Sequence, residues 1–476
     1  MSMNIFINMK ALNKIRVGLV DADLLDNGSR HPNLVLLKIA GLLNENNIQF
    51  ELITSNYANT KVFDYIYMSK VFTFTKEPAF YLNASEKEKL KFHIGGTGYY
   101  ATELNTDIFN QKRQKDMTSL SNDTLLNKLR NSYGIEDKKY GIIMERQMPY
   151  YDLYLPYIIS ILEKCDTYEA RKRCRQKYKD YLDYSIGFLT RGCTRHCPFC
   201  VNRLENHVVK CSELEWFYDR NRPYVYFWDD NFLASPREIW QPILQKLIDE
   251  KVTFQFRQGL DERQFAESPH GEEMAKLLSM ARYHGDYIFA FDNWRDREVI
   301  ERSLQIWKRY KSNHTTKFYL FCGFMQKKDK QEKFYKDIWE LFQRIKILMQ
   351  YECLGYVMRH EDYHQAPIAN IYVQIARWCN QPAFFKKMSF WEYCYRNQSY
   401  WEQKTLNEKN HKEIISFQDF EQEIRDGRYK GKIKMCLPLK TIISMLDMFP
   451  SRRNELIEMF NYKYDILKNP DLWERK

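Results

Sequence analysis

Apolar and polar positions change period several times along the first hundred residues. Ile15-Arg-Val-Gly-Leu-Val20 is a short apolar run ending at Asp21, which predicts a buried strand. Leu34 to Leu43 then carries its apolar residues at helical spacing, with Pro32-Asn33 before it. Phe50-Glu-Leu-Ile53 reads as a second strand and Tyr65-Ile-Tyr-Met68, extended through Val71, as a third. Phe92-His-Ile94 leads into the turn Gly95-Gly-Thr-Gly98. Strand and helix in alternation predict an α/β unit, a doubly wound parallel sheet, over residues 12–105. A glycine-rich turn after a parallel strand lets the backbone approach a ligand at the carboxyl edge of such a sheet. Residues 106–182 read as a connector. Positions 103–140 are polar, with a short helix around Leu125 to Leu129; Pro149-Tyr-Tyr-Asp-Leu-Tyr154 and a linking helix over about 157–182 follow.

From residue 184 the strands recur, with a helix expected between each. The candidates are Tyr184–Thr190, Tyr224–Trp228, Thr253–Gln258, Tyr287–Phe291, Lys317–Cys322 and Leu354–Met358. Their starts lie 29 to 40 residues apart, the length of one β/α unit. Ser235-Pro-Arg-Glu238 has the form of a capping box with proline at the first helical position. Ser268-Pro269 opens the next helix and Gly285 is placed to close it. Six such units predict a partial (β/α)6 barrel over 183–384, open on one side. Beyond it the repetition stops, and 385–476 reads as a mostly helical C-terminal region.

Composition adds boundaries. A chain of 476 residues, 44% hydrophobic and 28% charged, is long enough for two or three globular domains. No run of about 18 apolar residues occurs, so no membrane span is expected. The first twenty residues lack the regions of a signal peptide, and eleven mostly scattered cysteines do not form a disulfide framework; both point to the cytoplasm. The net charge is +11, and Arg171-Lys-Arg-Cys-Arg-Gln-Lys-Tyr-Lys179 places six basic residues in nine. RNA would be drawn to such a stretch, although a solvated helix face has the same composition.

The candidate chemistry lies directly after the strand at 184. Cys193-Thr-Arg-His-Cys197-Pro-Phe-Cys200 presents three thiols on a loop leaving a strand. Iron–sulfur clusters normally take four cysteines, so a three-cysteine site leaves one iron open to a further ligand. A structural zinc site is the other reading, with His196, His207 or Cys211 as fourth ligand. No second cysteine pair follows, and Phe199 before the last cysteine favours the cluster.

Gly192-Cys193-Thr-Arg-His-Cys197-Pro-Phe-Cys200 resembles the cluster motif of the radical S-adenosylmethionine (SAM) enzymes, in the branch with an N-terminal cobalamin-binding-like domain. The resemblance continues through about residue 390. It implies that Cys193, Cys197 and Cys200 hold a [4Fe–4S] cluster whose open iron chelates SAM. Reduction by a donor such as flavodoxin or ferredoxin then cleaves SAM and releases a 5′-deoxyadenosyl radical. It also implies cofactor contacts at the strand ends: Phe199 on the cluster loop, Asp230 and Asn231 for the SAM amine, Arg257 or Arg263 for its carboxylate, and Gly323 beside the adenine. Asp292-Asn293 is a position for substrate or ribose, Arg359 resembles a recurring family position, and Cys322 reads as core. Ser69-Lys-Val71 and Gly95-Gly96 fall where the cobalamin-binding motifs stand, but no histidine follows Asp21 by two residues; relatives that lack it too leave cobalamin a possible cofactor without positive indication, against a vestigial domain serving as scaffold. The tRNA methylthiotransferases are similar in the barrel but carry a second cluster on N-terminal cysteines; here none precedes Cys165. The expected outcome is methylation, sulfur insertion or rearrangement, on RNA, a small molecule or a peptide. The rival from another class is a non-catalytic, zinc-containing nucleic-acid-binding protein.

Overall fold

The computed structural model describes residues 14–28, 31–101, 108, 111, 125–126, 129, 146–311, 315–406, 413–430 and 434–474. It is a mixed α/β structure with parallel sheets. The chain divides into two compact units, Met1–Ser235 with Val252–Arg257, and Pro236–Lys251 with Gln258–Lys476. The division falls inside the segment 183–384 read as one barrel.

In the first unit, β1 (Arg16–Asp21), β2 (Gln49–Leu52), β3 (Tyr65–Ser69) and β4 (Phe92–Gly95) form a parallel sheet in the order β2-β1-β3-β4. Helix Leu34–Glu45, capped by Asn33, lays Leu36, Leu37 and Leu43 against Val17 and Leu19 of the central strand. Val20, Ile53, Phe63, Ile66 and Met68 form a second core cluster. Strand order reverses between β1 and β3, the switch point at which such sheets bind ligands. Here that position is filled by the chain itself. Asp21 pairs in register with Ser69. Asn33 Nδ2 donates to Ser69 Oγ at 2.9 Å, and Tyr154 Oη donates to Asp21 Oδ2 at 2.8 Å while accepting from Asn33 N at 3.0 Å. Burial pushes the Asp21 carboxyl up to about 7. The glycine turn also meets protein. Gly96 has φ +114°, and a Cβ there would lie 2.2 Å from Lys70 O. Gly98 N donates to the same carbonyl at 3.1 Å. The backbone approached by this turn is the protein's own.

Three helices, Leu155–Glu163, Tyr168–Lys177 and Lys179–Leu182, replace the single linking helix expected over 157–182. Thr167 breaks the run because its side chain caps the second helix, accepting from Ala170 N. Of the polar connector, Leu125, Leu126 and Leu129 are helical and buried; most of 103–140 lies outside the described residues. Tyr151 fastens the connector to the second sheet, donating to Phe217 O at 2.6 Å and accepting from Ile186 N at 2.8 Å.

That second sheet of the unit contains β5 (Tyr184–Gly187), β8 (Tyr224–Phe227) and β9 (Phe254–Phe256), parallel in the order β5-β8-β9. Between β5 and β8 lie β6 (Thr190–Arg191) and β7 (Val209–Lys210), paired antiparallel. This crossover has no α-helix, contrary to the alternation expected from sequence. Its residues form a loop closed by β6 and β7, followed by a 3-10 turn at Leu214–Trp216. Phe217 then takes the covering position: a Cβ on Gly187 would come within 2.3 Å of its ring.

The second unit carries β10 (Tyr287–Ala290), β11 (Thr316–Cys322) and β12 (Leu354–Arg359), also parallel and sequential. Helices Arg297–Lys311 and Gln331–Gln350 are the crossovers. The six expected strands are therefore present as two three-stranded parallel sheets, one in each unit. Two cap assignments differ. Ser235 Oγ donates to Phe232 O at 2.7 Å instead of capping the helix Arg237–Asp249. The helix Gly271–Met280 has ended before Gly285 is reached. Arg344, 2% exposed, donates to the carbonyls of Phe291, Asp292 and Phe321 and so ties together the ends of β10 and β11. The C-terminal region is mostly helical, as expected, and packs within this unit: Phe342 meets Phe390 and Phe460.

Two expected outcomes follow from this packing. Gly96→Ala combines a left-handed backbone with a clash against a carbonyl, and is expected to lower unfolding free energy by about 2–4 kcal/mol, read from urea denaturation. Glu262 is 1% exposed, and burial pushes its carboxyl from 4.5 up to about 8. Over that window the unfolded chain gives up the proton while the folded protein keeps it. Stability therefore falls as pH rises toward about 8 and levels off above it. Glu262→Gln is expected to flatten this slope in denaturation midpoints measured across the window.

Candidate functional site

The cysteine loop is built by the chain that leaves β5 and is held by two consecutive carboxylates that leave β8. Asp229, 1% exposed, accepts from Leu189 N at 3.1 Å and from Thr190 N and Oγ1 at 2.6 and 2.7 Å. Burial pushes its carboxyl up to about 7. Asp230 reaches the loop itself, accepting from Gly192 N at 2.9 Å and from Asn202 Nδ2 at 2.7 Å. One side chain thus ties residues on both sides of the three cysteines. Gly192 is required where the arms cross: φ is +100°, and a Cβ would lie 2.2 Å from His207 O.

Cys193, Cys197 and Cys200 are each partly exposed. Cys200 N donates to Cys197 O at 2.9 Å, so the last two share a tight turn, in which Phe199 is half-buried. Two sulfurs receive N–H donors: Asn231 Nδ2 lies 3.4 Å from Cys193 Sγ, and Asn202 N lies 3.4 Å from Cys200 Sγ. Hydrogen bonds to sulfur are one of the ways a protein tunes the potential of an iron–sulfur site. Among the described residues, no group of three or more His, Cys, Asp or Glu side chains is arranged to hold a metal ion. The zinc alternatives are engaged elsewhere: His196 Nδ1 is 3.0 Å from Arg203 O, and Cys211 Sγ is 3.6 Å from Phe188 O. His207 is exposed.

The remaining predicted residues divide between the units. Asp230 and Asn231 stand beside the cysteine loop, with Asp230 supporting that loop through both carboxylate oxygens. Arg257, in the same unit, lies above the Tyr226 ring at 4.6 Å and 3.6 Å from Asp180. Arg263 belongs to the second unit and is held in ion pairs by Asp261 at 2.6 Å and Asp296 at 2.9 Å. Gly323, also in that unit, has φ +78°; the space for a Cβ is taken by Tyr363, and its N–H donates to Asp337 at 2.9 Å. This position therefore packs against the protein's own tyrosine. Asp292 accepts from Phe321 N at 3.2 Å, Arg359 covers the Tyr363 ring, and Cys322 is buried core.

Arg257 also lines a cleft of about 700 Å³ in the first unit, together with His31, Arg173, Lys177, Lys179 and Tyr226, with Gln176 on its rim and Asp180 in its floor. Of this lining, the basic run and Arg257 had signals in the sequence, Arg257 as a candidate for the SAM carboxylate. Compared with protein-family models and with curated proteins, the chain matches none.

If Asp230 closes the loop, Asp230→Ala should raise amide hydrogen exchange at residues 192–207 by about tenfold to a hundredfold, the loss of one or two charge-assisted bonds. Exchange in β1 and β3 should stay unchanged.

Proposed function

We propose that the protein is a radical SAM enzyme, with the partial (β/α)6 barrel and N-terminal sheet implied by its cysteine motif. The observation carrying this reading is the loop that leaves β5 with three partly exposed thiols and is cinched by Asp230 at Gly192 and Asn202. The donor set suits a [4Fe–4S] cluster: Cys193, Cys197 and Cys200 would hold three irons, and the fourth iron would take SAM. When bound, the cluster supplies the electron that cleaves SAM reductively. The chain's own contribution is positional. Asp229 fixes the departure of the loop from the strand, and Asp230 spans it. Asn231 and Asn202 place N–H groups at Cys193 and Cys200, donors of the kind that tune a cluster through its sulfurs. Asp230 supports the loop through both oxygens, and each keeps a lone pair for the SAM amine.

No step is assigned to cobalamin. The switch point of the N-terminal sheet is occupied by Asp21, Asn33, Ser69 and Tyr154, and its glycine turn lies on Lys70. Those residues suit a scaffold that presents helix Leu34–Glu45 and the connector to the second sheet.

Anaerobic reconstitution with iron and sulfide tests the assignment. The expected product is brown protein with about four irons per chain that forms 5′-deoxyadenosine from SAM only under reduction. Cys197→Ala should lose most of the bound iron and all cleavage. A colourless protein that retains one zinc through the same treatment would replace this reading with the structural-zinc alternative.

A further inference from the structure

The basic cleft has features that a solvated charged face lacks. Its rim is formed by Arg173 and Lys177, one helical turn apart on Tyr168–Lys177, and by Lys179 at the start of the next helix. Neither Arg173, Lys177 nor Lys179 pairs with a carboxylate among the described residues, whereas Arg175 on the same helix does, at 3.0 Å to Asp183. Its floor is ordered and buried. Tyr226 is 2% exposed and stacks on Tyr184 with ring centroids 3.6 Å apart. Asp180, 6% exposed, lies 2.7 Å from His31 Nδ1 and 3.6 Å from Arg257, between the two basic groups. His31 is braced from behind by the Trp228 ring at 5.8 Å. Four cationic side chains thus face one cavity against a single carboxylate that is already engaged. Trp228 immediately precedes the Asp229-Asp230 pair that holds the cysteine loop.

We infer that this cleft is a binding site for a phosphate ester, with Arg257 and Lys179 reaching the phosphate from the floor and Arg173 and Lys177 completing the charge at the rim. A cavity lined by cations over low-dielectric walls concentrates an anionic ligand, and the Arg257 guanidinium, lying over the Tyr226 ring at 4.6 Å and donating to Gln255 Oε1 at 3.3 Å, is pre-oriented for phosphate oxygens. The fixed Arg257 distinguishes this site from diffuse surface charge, which attracts anions without orienting them. The same chemistry is offered by a free nucleotide and by the backbone of a single-stranded RNA. The inference concerns binding alone and does not depend on the iron–sulfur assignment.

Fluorescence anisotropy on the full chain tests it, with a labelled oligouridine of about ten nucleotides as the probe and uridine monophosphate and inorganic phosphate as competitors. Arg173→Ala combined with Lys177→Ala, and separately Lys179→Ala, should each weaken the probe that binds at least tenfold. Lys327→Ala with Lys328→Ala, which removes exposed charge in the second unit, should change affinity less than twofold. Preference for the oligonucleotide, with a salt slope shallower by about 0.7 for each phosphate-binding cation removed, identifies a nucleic-acid strand. Displacement by uridine monophosphate at similar concentration identifies a free nucleotide. Equal weakening by the cleft and control variants, or no binding of any of the three probes, overturns the proposal. Unchanged iron loading in the cleft variants would separate its failure from failure of the cluster assignment.

Discussion

Two adjacent carboxylates at the end of β8 determine how the cysteine loop leaves the sheet. Strand β5 must turn sharply after Gly187, and a turning strand exposes backbone N–H groups that have lost their ladder partners. Asp229 takes those of Leu189 and Thr190 inside the protein, at the cost of burying a carboxyl. Asp230 takes the next, at Gly192, and reaches across to Asn202. The three cysteines lie in the stretch between these two anchors. The path of the cysteine loop thus depends on a backbone hydrogen-bonding problem solved one strand away.

Buried tyrosines play the corresponding role in the connector. Tyr151 and Tyr154 are three residues apart, and each hydroxyl both donates and accepts. One is satisfied by the second sheet and the other by the end of β1 and the cap of helix Leu34–Glu45. A phenol that makes both bonds avoids leaving a buried polar group unsatisfied while contributing a large apolar ring. The abundance of tyrosine is used structurally here. The same packing fills the ligand position of the N-terminal sheet with side chains of the chain itself.

The basic cleft shows how charge acquires direction. In the sequence, the run from Arg171 to Lys179 is a string of like charges on a helix. Folding sorts it: Arg175 pairs with Asp183, while Arg173, Lys177 and Lys179 join Arg257 and His31 around a cavity. The residue that organises them is an acid, Asp180, whose burial is tolerated because two basic groups flank it.

Periodicity alone determined the strands and most crossover helices, because burial on both faces of a parallel sheet leaves apolar runs of strand length separated by helical spacing. The cysteine motif was equally legible, because its spacing is local to one loop. Local pattern failed where a residue's partner is distant in the chain or lies on the unexpected side. Ser235 looked like a cap and bonds backward to Phe232; Gly95 to Gly98 looked open to a ligand and lies on Lys70. Between β5 and β8 a loop and Phe217 stand where a helix was expected. The cleft joins His31, Asp180, Tyr226 and Arg257 from four separate segments, and the roles of Asp230 and Asn202 depend on a hydrogen bond across 28 residues. Hydrogen bonds and charge orientation between such segments are fixed only when the sheets and connector have packed, so these features were decided by the tertiary structure.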